Sequence, residues 1–84
     1  MTFKMVISTP EKTFYKGPAV LCLAFTTEGS IGFEAKHEPF IGVLKENSTV
    51  FYKTDEDREV TLEVISGMLL FERNTCIITG EFRE

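Results

Sequence analysis

The apolar residues of this 84-residue chain recur at every second position rather than every third or fourth. Phe3, Met5 and Ile7 alternate with Thr2, Lys4 and Ser8, and Val60, Leu62 and Val64 are interleaved with Thr61 and Glu63. Side chains on a strand point alternately to opposite faces, so this period describes half-buried strands. No segment keeps a helical period for longer than two turns. Glycine, proline and β-branched residues are scattered throughout, which breaks helices. The chain is therefore expected to be all-β.

Turn residues divide the pattern. Thr9-Pro10 stops the first strand, and Phe14-Tyr15 forms a short second one closed by Gly17-Pro18. Residues 19–26 are apolar on both faces, as expected of a strand covered on both sides or crossing between sheets. Gly29 and Gly32 punctuate a loop, 40–44 is extended, and Lys45-Glu46-Asn47 reads as a turn. Residues 48–54 and 58–65 predict a hairpin around Asp55-Glu56-Asp57. Met68–Phe71 and Cys76–Thr79 predict another, whose tip Arg73-Asn74 suits a tight turn because asparagine tolerates positive φ. The spacing predicts a flattened β-sandwich or barrel of about nine to ten mostly antiparallel strands. It is read as one domain, residues 1–84, with a radius of gyration of roughly 12 Å.

Charge narrows the possible functions. Thirteen acids against nine bases leave a net charge of −4, so neither a nucleic-acid surface nor an anionic lipid surface is expected. No apolar run approaches the length of a membrane-spanning helix, and the N-terminus lacks the features of a signal peptide. Cys22 and Cys76 lie far apart and, with His37 alone, do not make a zinc set. Both are expected as free thiols in a reducing compartment, buried as small hydrophobes.

No catalytic constellation emerges. His37 is the one side chain suited to moving protons near neutral pH, but no motif sets it beside a nucleophile. A loop histidine hydrogen-bonded to backbone is the favoured reading, and a small hydrolase the disfavoured one. Asp55, Glu56, Asp57 and Glu59 crowd a hairpin tip without the glycine of a calcium loop, so they read as a solvated end. The turn at Gly29-Ser30-Ile31-Gly32 lacks the lysine spacing of a phosphate loop. Neither a cofactor nor a metal is expected. More informative are residues 19–25 and 67–71, apolar on both sides, whose surplus outward residues, Leu21 or Leu70 among them, would form either a partner-binding patch or scattered single exposed hydrophobes.

Three stretches carry a family resemblance. The run Phe3–Pro10 followed by Phe14–Gly17 resembles the opening of the epsilon subunit of F-type ATP synthases, an alternating strand ending in Thr-Pro and then an aromatic-x-x-Gly turn. The segment Glu28–Pro39 resembles that family's loop Glu-Gly-x-x-Gly-Val/Ile-x-Pro-x-His-x-Pro, and Leu44 falls on a family leucine. Residues Ile65–Phe71, with Asn74 and Cys76–Ile78, are similar to its Gly-Gly-Phe-x-Glu-Val hairpin. Ala35 replaces a proline, Glu34 stands at a usually apolar position, Ser66 replaces a glycine and Leu70 a glutamate. Nothing here encodes the family's C-terminal helical hairpin.

The resemblance implies a non-catalytic central-stalk subunit, needing no cofactor, that links the gamma subunit to the polar loops of the c-ring. It would sit peripherally on the cytoplasmic face of a bacterial plasma membrane and pass proton- or sodium-driven rotation to catalytic sites elsewhere. It places Glu28, Gly29, Ser30, Ile31 and Gly32 toward the ring, and His37, Glu38 and Pro39 toward gamma or the ring. The alternative is a stand-alone β-sandwich adaptor derived from this family.

Overall fold

The alternation is realised in seven strands. The computed structural model describes residues Met1–Arg83, with β1 at Phe3–Ser8, β2 at Thr13–Thr26, β3 at Gly29–Phe33, β4 at Phe40–Val43, β5 at Ser48–Thr54, β6 at Glu59–Glu72 and β7 at Thr75–Arg83. β1, β7, β6, β5 and β2 are hydrogen-bonded in a ring, because β1 pairs with both β7 and β2. β3 is added to β2 and β4 to β6. The β1–β7 pair is parallel; the other strand pairs are antiparallel. Closure removes most of the free edges that an open sheet would expose. The body measures 30 × 25 × 20 Å, with a radius of gyration of 11.4 Å.

Seven strands stand where the spacing suggested nine to ten, and two expected breaks do not occur. β2 runs through Gly17-Pro18 and β6 through Ile65–Gly67, each for 14 residues. Pro18 is tolerated because this half of β2 pairs only with β1. The Pro18 carbonyl accepts a hydrogen bond from the Tyr15 hydroxyl at 2.6 Å, which turns that residue's polar backbone away from the β1 ladder. A further correction concerns Gly29–Phe33, expected as a loop. These residues form β3, an edge strand in register with Cys22–Thr26 of β2.

Both long strands change layer. Register shifts at Ala19–Leu21 in β2 and at Val64–Ser66 in β6 mark the bends. Before its bend β2 pairs with β1; after it, with β3 and β5. β6 pairs first with β5 and then with β4. An extra residue in one strand bends and twists it, and this lets one chain segment serve both layers. Of the two possibilities for residues 19–26, covered on both sides or crossing between sheets, the register shift gives the crossing, and Leu23 and Phe25 are left exposed.

The alternation delivers one row of side chains from each strand to the interior. Phe3, Met5, Ile7, Cys22, Phe33, Leu44, Val50, Val64, Leu69, Phe71, Cys76 and Ile78 are all fully buried. Burial of a large aliphatic or aromatic side chain contributes roughly 1.5–3 kcal/mol. The rings of Phe33 and Phe71 stack at 5.2 Å with their planes 6° apart, and Phe3 meets Phe71 edge-on at 5.5 Å. Arg73 and Asn74 both take positive φ, 52° and 57°, which gives the two-residue β6–β7 turn the twist a hairpin needs.

Candidate functional site

The segment from Glu28 to Pro39 spans β3 and the loop on either side of it. At its first end Thr26, itself buried, organises the turn. Its hydroxyl accepts from the Glu28 amide at 3.1 Å and donates to the Gly29 carbonyl at 2.8 Å. Gly29 has φ +123°, a conformation that side chains other than hydrogen rarely allow, although open space surrounds it. The turn docks on the end of β4, since the Thr27 amide bonds the Val43 carbonyl at 3.0 Å and Lys45 the Phe25 carbonyl at 2.9 Å. Glu28, Gly29, Ser30 and Gly32 are exposed. Ile31 instead pairs with Ala24 and packs half-buried against the core. At Gly32 a Cβ would lie 3.0 Å from Leu23 Cδ2, so the missing side chain leaves space that Leu23 occupies.

The other end of β3 leads to His37. Lys36 takes φ 67°, and its amide donates to Asn74 Oδ1 at 2.7 Å. Asn74 Nδ2 in turn donates to the Thr2 carbonyl at 2.9 Å, so one carboxamide ties the β3–β4 loop, the β6–β7 turn and the N-terminus together. The His37 ring lies edge-on to Phe33 at 4.7 Å and to Phe71 at 5.6 Å. Its Nδ1 donates to the Glu38 carbonyl at 2.7 Å, because a carbonyl can only accept. His37 is therefore a half-buried lid over the aromatic stack, fixed to backbone. Glu38 and Pro39 are exposed beside it. The two halves of the segment are separated by the length of β3, about 13 Å.

The outer faces hold what the sequence located only in part. Leu21 and Leu70, named from the apolar runs, are half-buried. The exposed residues are their neighbours. On one face Ile41, 67% exposed, stands opposite Leu70, Leu70 opposite Ile77, and Ile77 opposite Val6, while Val43 stands opposite Met68. Residues directly opposite on a sheet lie about 5 Å apart, so this is a continuous apolar row across four strands. On the other outer face Leu23 and Phe25 are exposed, and Leu23 stands opposite Phe51. The signal was present in the sequence, since Phe40–Leu44 and Met68–Phe71 are apolar almost without interruption. Which residues face outward depends on register.

The acidic tip is built by Thr54. Its hydroxyl accepts from the amides of Glu56 and Arg58 at 3.3 and 3.2 Å, and Lys53 pairs with Asp57 at 3.3 Å. Among the described residues no group of three or more His, Cys, Asp or Glu side chains is arranged to hold a metal ion. Asp55 and Glu56 lie close enough to Tyr15 to raise its phenol above the ordinary value, second to the effect of its burial.

Residues 2–82 match the beta-sandwich domain of the ATP synthase Delta/Epsilon chain. The chain belongs to that family. An ATP synthase epsilon chain of Corynebacterium urealyticum is 41% identical over 59 residues, 70% of this chain and 48% of its own length. One from Rhodococcus opacus is 35% identical over 81 residues, 96% of this chain and 65% of its own. This chain thus spans about half to two thirds of the length of these epsilon chains. A chain of the Euglena gracilis mitochondrial ATP synthase, in an assembly of OSCP, F1 and c-ring, superimposes with a TM-score of 0.88 at 14% identity. That match covers 98% of this chain and 52% of the other, and it shows a shared fold.

Proposed function

We propose that this chain is a non-catalytic central-stalk subunit of a proton- or sodium-driven F-type ATP synthase, held between the gamma subunit and the c-ring. The observation that carries the reading is the pair of apolar outer faces, Ile41–Leu70–Ile77 with Val43–Met68 on one side and Leu23–Phe25 on the other. Small soluble domains rarely leave such rows in water unless a partner covers them. Two such faces on one closed body suit a part gripped from both sides while it turns. A close-packed interior resists deformation and transmits torque instead of absorbing it.

In this reading the exposed turn Glu28-Gly29-Ser30, with Gly32, meets the polar loops of the c-ring, and Ile31 anchors that edge to the core. His37, Glu38 and Pro39 lie toward gamma or the ring, with His37 holding the loop in shape. Glu28 and Glu38 would pair with basic groups there, each contributing about 0–1 kcal/mol. The subunit reaches the cytoplasmic face of the membrane through the complex and needs no cofactor.

The test is affinity purification of the chain from its own cells under mild detergent. Recovery of gamma and c subunits is expected, with proton- or sodium-coupled ATP synthesis lost when residues 28–32 are replaced by a bulky, charged segment. Recovery of no ATPase subunit would refute the reading. Recovery of an unrelated protein instead would establish the stand-alone adaptor.

A further inference from the structure

The register of the two layers places two thiols face to face. Cys22 stands opposite Phe33 in the β2–β3 ladder, and Cys76 stands opposite Phe71 in the β6–β7 ladder. Phe33 and Phe71 stack on each other across the layers, 5.2 Å apart and nearly parallel. β3 borders one layer and β4, next to β6, borders the other, so a fully buried β2 residue beside Phe33 is covered from the side of β6 away from β4, which is β7. One strand inward from the stacked rings therefore lies β2 in one layer and β7 in the other. Cys22 and Cys76 are the inward residues at that level, and both are fully buried. The neighbouring Cys76 side chain, and after it burial, pushes the Cys22 thiol above its ordinary value.

We propose that Cys22 and Cys76 are a latent cross-link site, at which one disulfide joins the two layers when the chain folds in the presence of a small-molecule disulfide such as oxidised glutathione. β-Sandwiches accommodate inter-sheet disulfides between facing strands, as immunoglobulin domains do. In the folded state the pair is silent, because the reactive species is the exposed thiolate and these sulfurs are buried and protonated. In the open chain one cysteine thiolate attacks the small disulfide, whose S–S bond breaks and releases one thiol. The second cysteine thiolate then attacks the cysteine sulfur of the mixed disulfide and releases the other thiol. Two protein S–H bonds are lost, one S–S bond is formed, and the reagent is reduced to two thiols. Folding then seals the bond away from reductant. The inference goes beyond the rotor reading and stands without it.

The cross-link closes a loop of about 55 residues, which should lower the unfolding equilibrium constant about a thousandfold. The test is to unfold the 84-residue chain in urea and refold it either in a glutathione redox buffer or in excess reductant. Intact mass, thiol count and urea midpoint are then read. The expected product of the redox buffer is a monomer lighter by two hydrogens, with no free thiol and a higher urea midpoint. Protein left folded in the same buffer should react far more slowly. Mixed disulfides with glutathione on both cysteines, a disulfide between two chains, or a cross-linked monomer that unfolds at lower urea than the reduced form would each overturn the proposal.

Discussion

Gly67 and Gly80 face each other across the β6–β7 ladder at the bend of β6, with their backbones in direct contact. A Cβ on Gly80 would overlap the Ser66 carbonyl oxygen and lie 2.6 Å from Gly67 Cα. On Gly67 it would lie 2.6 Å from the Thr79 carbonyl oxygen and 3.3 Å from Leu44 Cδ1. Two strands can approach this closely only where neither carries a side chain on that face. The contact lets β6 turn from one layer into the other without opening a gap, and the Leu44 amide completes the corner by donating to the Gly67 carbonyl at 2.9 Å.

Gly80→Ala should therefore be among the most damaging single-methyl additions in the chain. The obstacle is backbone, which cannot swing aside, so a loss of about 3 kcal/mol is expected in urea unfolding. Gly29→Ala meets no atom within 4 Å and adds only strain at φ +123°, so about 1 kcal/mol is expected there. Equal losses at the two positions would contradict this account of the corner.

Asn74 offers a test of the tie between loop and hairpin. Asn74→Gly keeps the positive φ of 57° but removes the bonds to the Lys36 amide and the Thr2 carbonyl. A loss of about 1–2 kcal/mol is expected, for two hydrogen bonds in an exposed setting. Because His37 sits on the loop so released, its ring resonances should shift toward solvent values in NMR spectra. Unchanged His37 resonances would show that the aromatic lid holds without the carboxamide.

Alkaline pH should unfold the domain earlier than its carboxylates would suggest. Cys22 is raised above its ordinary 9.0, first by the neighbouring Cys76 side chain and then by burial. Tyr15 and Tyr52 are raised above 10.0, chiefly by burial. A group whose folded value lies above its unfolded value stabilises fully below the unfolded value. That contribution drains away as pH rises toward the folded one, because only the unfolded chain releases the proton. The urea midpoint should thus stay level up to about pH 9 and fall beyond it, with Cys22 contributing first and the tyrosines next. A midpoint that stays level to pH 11 or so would reject this.

Charge introduced on the outer row should separate folding from partner binding. Ile41 and Met68 point away from the core, so Ile41→Lys and Met68→Lys should change stability by no more than about 0.5 kcal/mol. If the row is a partner surface, either change should weaken recovery of the ATPase subunits tenfold or more, the usual effect of disturbing an interface centre. Leu69→Ala, a fully buried position one residue away, should instead destabilise the fold by about 2–5 kcal/mol. Full recovery with both lysine variants would move the interface elsewhere.

The strand content, the hairpins at Asp55–Asp57 and at Arg73-Asn74, and the buried cysteines were all legible from residue type and period. These depend on local chemistry, since alternation sets which side of a strand is apolar and asparagine accepts positive φ wherever it stands. The Glu28–Pro39 segment was also legible as a motif. Its division was not, because whether Gly29–Phe33 is loop or strand depends on β2 lying alongside. Likewise nothing local marks Gly17-Pro18 as the inside of a strand; that follows from β2 having a partner on one side only.

The order of residues alone determined that this chain forms sheets, turns at particular places and hides one row of side chains per strand. The tertiary structure alone decided that two long strands serve both layers, that Gly67 meets Gly80, that Cys22 faces Cys76, and which apolar residues are left in water. The physical reason is that a side chain's environment in a sheet is set by the strand beside it and the layer opposite. Both are contributed by residues distant in sequence, whose register no local pattern records.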